Sequence, residues 1–140
     1  MAAQPAVWVA VLLLFLPNIV TAGQDTTRKL EISGHILGAT GRYPIYIALW
    51  QSDNFLKTPV RQIRIEPGAQ PVFQFTVSAG RWAVSAYEDK NTNGRLDMGM
   101  FGPKEPSGFW RRFTGWHKPR FDEVAVSLTE SVGNADIELK

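Results

Sequence analysis

Phe73-Gln74-Phe75-Thr76-Val77-Ser78-Ala79-Gly80-Arg81-Trp82-Ala83-Val84-Ser85-Ala86-Tyr87 decides the fold class of this chain. The first five residues alternate apolar with polar, Ala79-Gly80 interrupts them as a turn, and a second apolar alternation resumes at Trp82. A period of two places successive side chains on opposite faces, so each half reads as a half-buried strand. The same period recurs on either side, in Leu30-Glu31-Ile32-Ser33, Ile45-Tyr46-Ile47-Ala48-Leu49, Val124-Ala125-Val126-Ser127-Leu128 and Ala135-Asp136-Ile137-Glu138-Leu139. Gly38-Ala39-Thr40-Gly41, Ser52-Asp53-Asn54 and Glu66-Pro67-Gly68 supply the turns between them. Runs near 30–37, 44–50, 60–65, 71–77, 82–87, 122–128 and 134–139 predict an all-β fold: a single immunoglobulin-like or transthyretin-like sandwich of about seven strands. No long helical period competes.

One segment breaks the pattern. Met98 to Pro119 contains Gly99, Gly102, Pro103, Pro106, Gly108 and Gly115, a content that cannot sustain a ladder and predicts one long loop excursion. Loops of this length in a compact domain are usually functional or disordered. Phe101, Phe109, Trp110, Phe113 and Trp116 make this one too apolar for disorder, so it is expected to fold back onto the sandwich.

Composition narrows the setting. Val7 to Val20 is an apolar run interrupted only by Pro17 and Asn18, and it ends in the compact residues Val20-Thr21-Ala22. That pattern predicts a signal peptide over 1–22 cleaved near Ala22, a β-sandwich domain over 23–140, and a periplasmic or secreted protein with no transmembrane span after cleavage. About 118 residues remain (140 − 22), enough for one core. The balance of 15 Lys plus Arg against 13 Asp plus Glu, +2 overall, is too small to argue for nucleic acid. With no cysteine there are no disulfides, thiolate metal sites or thiol nucleophiles, and the core alone must hold an exported fold.

Directly after Tyr87-Glu88 comes Asp89-Lys90-Asn91-Thr92-Asn93-Gly94-Arg95-Leu96-Asp97. Oxygen side chains stand at loop positions one, three, five and nine with glycine at six, the spacing of EF-hand-type calcium loops. Asp89, Asn91, Asn93 and Asp97 are the candidate side-chain ligands and the carbonyl of Arg95 the candidate backbone ligand. Met100 stands where the bidentate twelfth-position glutamate is expected, which leaves Glu88 or Glu105 to replace it. Such a loop predicts a weak Ca²⁺ site, with Kd on the order of 10⁻⁴–10⁻³ M. An Asn-Gly turn whose side chains accept backbone amides, without metal, explains the same residues.

The motifs Tyr87 to Asp97, then Phe101-Gly102-Pro103-Lys104-Glu105-Pro106-Ser107-Gly108-Phe109 and Lys118-Pro119-Arg120-Phe121-Asp122-Glu123-Val124, occur in an order that closely resembles the bacterial domain-of-unknown-function family 2141. The similarity extends upstream to Ile45 to Trp50 and Phe55-Leu56-Lys57. Where the family usually has His-Asp before the turn this chain has Glu88-Asp89, and Trp110-Arg111-Arg112 replaces its usual Ser-Asn-Asn. The resemblance implies a small exported protein with a sandwich fold and no established activity.

A second cluster, Phe109 to Arg120, interleaves cations with aromatics. Trp110, Arg111, Arg112, Trp116, His117 and Lys118 are candidate ligand-binding residues, because guanidinium groups pair anions and indole faces stack on sugar rings or cations. The expected partner is an anionic glycan or other envelope component. Burial of the aromatics with the cations facing water is the plainer alternative. His35 and His117 lie on different segments, and no nucleophile elbow, zinc-binding helix or phosphate loop is present, so no catalytic residues are assigned. The expectation is a binding or envelope-associated accessory module, not an enzyme. A small hydrolase on a transthyretin-like scaffold, or a structural protein-interaction module using edge residues Arg61, Gln62 and Arg64, are the alternatives.

Overall fold

The computed structural model describes residues 28–140. The predicted signal peptide therefore lies outside the described residues. No described helix is long and apolar enough to cross a membrane.

The chain is an all-β sandwich. Strands β1 (Lys29–Leu37) and β4 (Val72–Ser78) pair antiparallel from Lys29↔Ser78 to His35↔Val72, and β10 (Ile137–Glu138) joins β1 in parallel to complete one sheet. The facing sheet runs in the order β3 (Arg61–Ile65), β2 (Ile45–Trp50), β5 (Gly80–Glu88), β8 (Ser107–Phe109), with β9 (Val126–Leu128) pairing the opposite end of β5. Alternation decides what goes inside. Leu30, Ile32 and Ile36 of β1 and Phe73, Phe75 and Val77 of β4 meet Ile45, Ile47, Leu49, Trp82, Val84 and Ala86 of the second sheet in one core.

The second sheet is buried on its other face as well. Ala48, Trp50 and Ala83 are covered there by Val124 and by partly buried Phe55, Leu56, Phe109, Phe113 and Phe121. Burying side chains of this size contributes about 1.5–3 kcal/mol each, which is what draws the excursion back against the sheet. The expectation of a folded-back segment holds for Phe109, Trp110 and Phe113 and fails for Phe101 and Trp116, which are fully exposed.

Two expectations need correction. The excursion does carry ladders: β6 (Met98–Gly99) pairs β7 (Gly102–Pro103) as a hairpin, and β8 pairs β5 from Ser85↔Phe109 to Tyr87↔Ser107. The β8 ladder is possible because Pro106 precedes that strand and never has to donate within it. The run near 122–128 is not one strand. Phe121–Val124 forms a helical turn, α1, and only Val126–Leu128 is extended. The Glu123 carboxylate accepts the Arg120 amide (2.8 Å) and so begins that turn.

The C-terminal residues tie the sheets together. Leu139 donates to the Leu37 carbonyl (2.9 Å), while Lys140 and Ser107 exchange a pair of backbone bonds at 3.2 Å. That strap fixes the start of β8, and with it the position of Glu105.

Candidate functional site

The loop begins where β5 ends. Alternation along β5 places Tyr87 and Asp89 on one side and Glu88 on the other. The Asp89 amide donates to the Pro44 carbonyl (2.8 Å), anchoring the first loop position to the start of β2. Thr92 (φ 57) and Gly94 (φ 74) then turn the chain through the left-handed region. Asp89, fully buried, accepts the Asn93 amide (3.3 Å) and the Gly94 amide (2.8 Å), so its carboxylate organises the reversal from inside.

The other predicted ligands converge on Asp97. Asn93 Nδ2 donates to both Asp97 carboxylate oxygens (3.1 and 2.9 Å), and Asn91 Nδ2 donates to Asp97 Oδ2. Asn91 Oδ1 accepts the Asn93 amide (3.3 Å), and Asn93 Oδ1 accepts the Arg95 amide (3.0 Å). Among the described residues, no group of three acidic, histidine or cysteine side chains stands in a metal-holding arrangement.

Downstream of Asp97 the chain does not complete an EF-hand loop but enters the β6–β7 hairpin. Met100 sits at its tip, 91% exposed and turned to solvent. The hairpin brings the chain back: Lys104 donates to the Asp97 carbonyl (2.8 Å), and Asp97 donates to Glu105 Oε2 (3.2 Å). Glu105 is thus placed against the ninth loop position, and it is only 5% exposed. Its second oxygen, Oε1, is buried without a hydrogen-bond partner. Lys90, Asn91, Asp97, Lys104 and Glu105 line an open concavity of about 400 Å³.

Glu88 does a different job. Fully buried, it accepts the Thr40 amide (2.7 Å), the Thr40 hydroxyl (2.9 Å) and the Gly41 amide (3.3 Å), clamping the turn before β2. Of the two carboxylates flanking the loop, Glu105 lies against its ninth position and Glu88 faces the Thr40–Gly41 turn.

Tyr87 was not among the predicted residues. Its ring stacks on Tyr46 at 5.3 Å across the β2–β5 pair, and Arg64 lies over Tyr46. The phenol pKa is pushed up to about 12, first by burial, then by the charges of Asp89, Tyr46, Glu105 and Asp97. The phenol therefore senses all three loop carboxylates at once. The sequence signal was available: Tyr87 stands two residues before Asp89 on a strand and must share its face.

The aromatic-basic residues divide by their contacts. Trp110 is half-buried against the main core, and its amide donates to the Val84 carbonyl (2.9 Å). Arg111 Nη1 donates to the carbonyls of Asp122 (3.3 Å) and Ala125 (3.1 Å), latching the excursion to the end of α1. Arg112, exposed, reaches Glu138 at 3.7 Å. His117 meets Glu123 at 3.0 Å and lies edge-on to Phe113. Glu123 is held below the ordinary glutamate range, chiefly by the Arg120 amide and then by His117 and the Arg120 side chain. Trp116 is fully exposed, and Lys118 is exposed nearby in the chain.

A family profile described as an uncharacterized protein conserved in bacteria (DUF2141) matches residues 40–136, from the turn clamped by Glu88 to the start of β10. The chain belongs to the DUF2141 family. No curated protein and no solved structure matches it. The matched region of this DUF2141 chain includes the loop, the hairpin, Glu105 and the whole aromatic-basic segment.

Proposed function

We propose that this protein is an exported accessory module that binds an anionic glycan of the cell envelope through its aromatic-basic excursion. The observation that carries the reading is the exposure of Trp116. Phe109, Phe113 and Trp110 in the same segment pack against the sheet or core, whereas the Trp116 indole is entirely in solvent. A large apolar ring held out by a segment otherwise anchored at Arg111 costs hydration and offers a stacking face. Lys118 and the exposed Arg112 supply cations for the acidic groups of such a ligand.

The test is affinity electrophoresis at low salt through gels containing polygalacturonate, with neutral dextran as comparison. Retardation by the acidic polymer alone is expected, with W116A/K118A weakening it about 10-fold, in line with losing a stacking contact and a charge. Equal retardation of the native chain and the variant overturns the reading, as does turnover of any ester, amide or lactone in a generic hydrolase panel.

A further inference from the structure

We propose that the tip of the β6–β7 hairpin, Met100-Phe101, inserts into an anionic phospholipid surface while Lys90 and Lys104 at the hairpin's base meet the lipid phosphates. None of these residues takes part in the glycan contact above, so the two stand or fall separately. Met98, Met100 and Phe101 are 62%, 91% and 99% exposed, three large apolar side chains within four residues. Single exposed apolar residues are ordinary on a protein surface, whereas a cluster at a protruding point marks a contact.

The turn itself does not ask for them. Gly99 pairs Gly102, so Met100 and Phe101 are the two central residues of a tight hairpin turn, positions that asparagine, aspartate and glycine usually fill. Gly102 (φ 125) supplies the unusual backbone conformation, and neither Met100 nor Phe101 is in the left-handed region. Polar residues would close the same turn without the hydration cost of a bare phenyl ring. The base of the hairpin is braced: the Lys104 amide donates to the Asp97 carbonyl (2.8 Å), and the Asp97 amide to Glu105 Oε2 (3.2 Å). The apolar tip is therefore held out in solvent by an ordered support.

Charge chooses the occupant. Lys90 and Lys104 are exposed, line the concavity at the hairpin's base, and form no ion pair among the described residues. The carboxylates beside them are engaged by amides instead. Asp89 is fully buried on the Asn93 and Gly94 amides, Glu105 is buried with Oε2 on the Asp97 amide, and Asp97 accepts the Asn91 and Asn93 side-chain amides. The charge presented to solvent is thus mainly that of the lysines. The Lys104 stem runs along the hairpin, since its Cγ and Cε lie 3.3 and 3.5 Å from the point that a Cβ on Gly99 would occupy. A lysine so placed lays its methylenes along the structure and keeps its ammonium in the polar layer.

Dimensions agree with the charge. Two residues per strand give the hairpin a reach of about 7 Å, and interfacial elements enter a bilayer to about 5–10 Å. With the tip at the acyl boundary, the lysines at its base stand at phosphate depth. A protein partner fits less well, because three side chains at a point offer about 500 Å², short of the about 800 Å² per side of a specific interface.

The chain has no cysteine, so M100C carries a single environment-sensitive fluorophore at the tip. E130C carries the same label just after β9, which pairs with the start of β5, at the end of that strand opposite the hairpin. Each full-length labelled chain is titrated at low salt with vesicles of phosphatidylcholine and with vesicles of phosphatidylcholine and phosphatidylglycerol. Because the label reports only its own surroundings, attachment through another part of the chain, the apolar run 7–20 included, does not distinguish the tip from position 130. The expected result is a blue shift at M100C that saturates at lower lipid with phosphatidylglycerol present, and no shift at E130C. Adding F101S should raise the lipid needed by about 10-fold or more, and adding K90Q/K104Q by about 10-fold for the anionic vesicles alone, with the unfolding midpoint unchanged in both. High salt should remove the lysines' share. A tip label silent toward both vesicles overturns the proposal, as does one that shifts no more than the E130C label, that ignores F101S, or that responds equally to the two vesicles. A shift that grows with protein concentration in the absence of lipid gives the tip to a second copy of the chain and overturns it too.

Discussion

Replacing Glu88 with alanine removes a buried carboxylate that accepts three hydrogen bonds, from the Thr40 amide, the Thr40 hydroxyl and the Gly41 amide. Hydrogen bonds to a charged group contribute about 1.5–3 kcal/mol each, so the gross loss is about 5–9 kcal/mol. Much of it is recovered, because Thr40 and Gly41 are themselves exposed and water can reach their freed amides. The truncated side chain also leaves a cavity at a fully buried position, where each lost methylene costs about 0.8 kcal/mol. A net destabilisation of about 3 kcal/mol follows, or a fall of about 10–15 °C in the unfolding midpoint for a domain of this size. E88Q keeps one oxygen acceptor but turns an NH₂ toward donors, so it should fall between the two, at about 1–2 kcal/mol. Urea unfolding followed by tryptophan fluorescence measures both. A cost below about 1 kcal/mol for E88A would refute the clamp.

Three further expectations come from other parts of the molecule. At Gly108 an added Cβ would overlap the Glu138 carbonyl oxygen, so G108A should cost at least about 2 kcal/mol and loosen the C-terminal strap, seen as faster amide exchange at Lys140 and Ser107. R111A should detach the Phe109–Phe121 segment locally, raising proteolysis there while leaving β1 and β4 protected, because the two carbonyls it caps belong to α1 and its end. Glu123, whose pKa is depressed, contributes stability that is complete above the unfolded glutamate value and is lost as pH falls through the lower folded value. The midpoint difference between the native chain and E123Q should therefore shrink below about pH 4.

The sandwich was legible because period two is a direct consequence of strand geometry, and the runs at 30–37, 44–50, 60–65 and 71–77 carry it with little interference. Legibility failed where two periods overlap. In Phe121-Asp122-Glu123-Val124 the buried Val124 follows Phe121 by three, a helical spacing, while Val124-Ala125-Val126 can equally be read as extended. The choice is made by the Glu123 carboxylate reaching the Arg120 amide, a contact that apolar periodicity does not contain. β5 misleads in another way. Trp82, Ala83 and Val84 are all buried, because the outer face of its sheet is covered by residues more than twenty positions away on either side, Phe55 and Leu56 before it and Phe109 to Val124 after it, and a half-buried alternation cannot anticipate that cover.

The same limit explains the loop. Positions one to nine were readable as a turn because their hydrogen bonds are local: Asp89, Asn91 and Asn93 accept backbone amides two to five residues on, around the reversal that Gly94 permits. Beyond Asp97 the counting stops being informative, because the chain enters the β6–β7 hairpin and Met100 stands at its tip in solvent. The contact of Glu105 with the Asp97 amide is a tertiary fact, made only where β6 and β7 have paired and the C-terminal strap has fixed Ser107, and no spacing within the loop contains it.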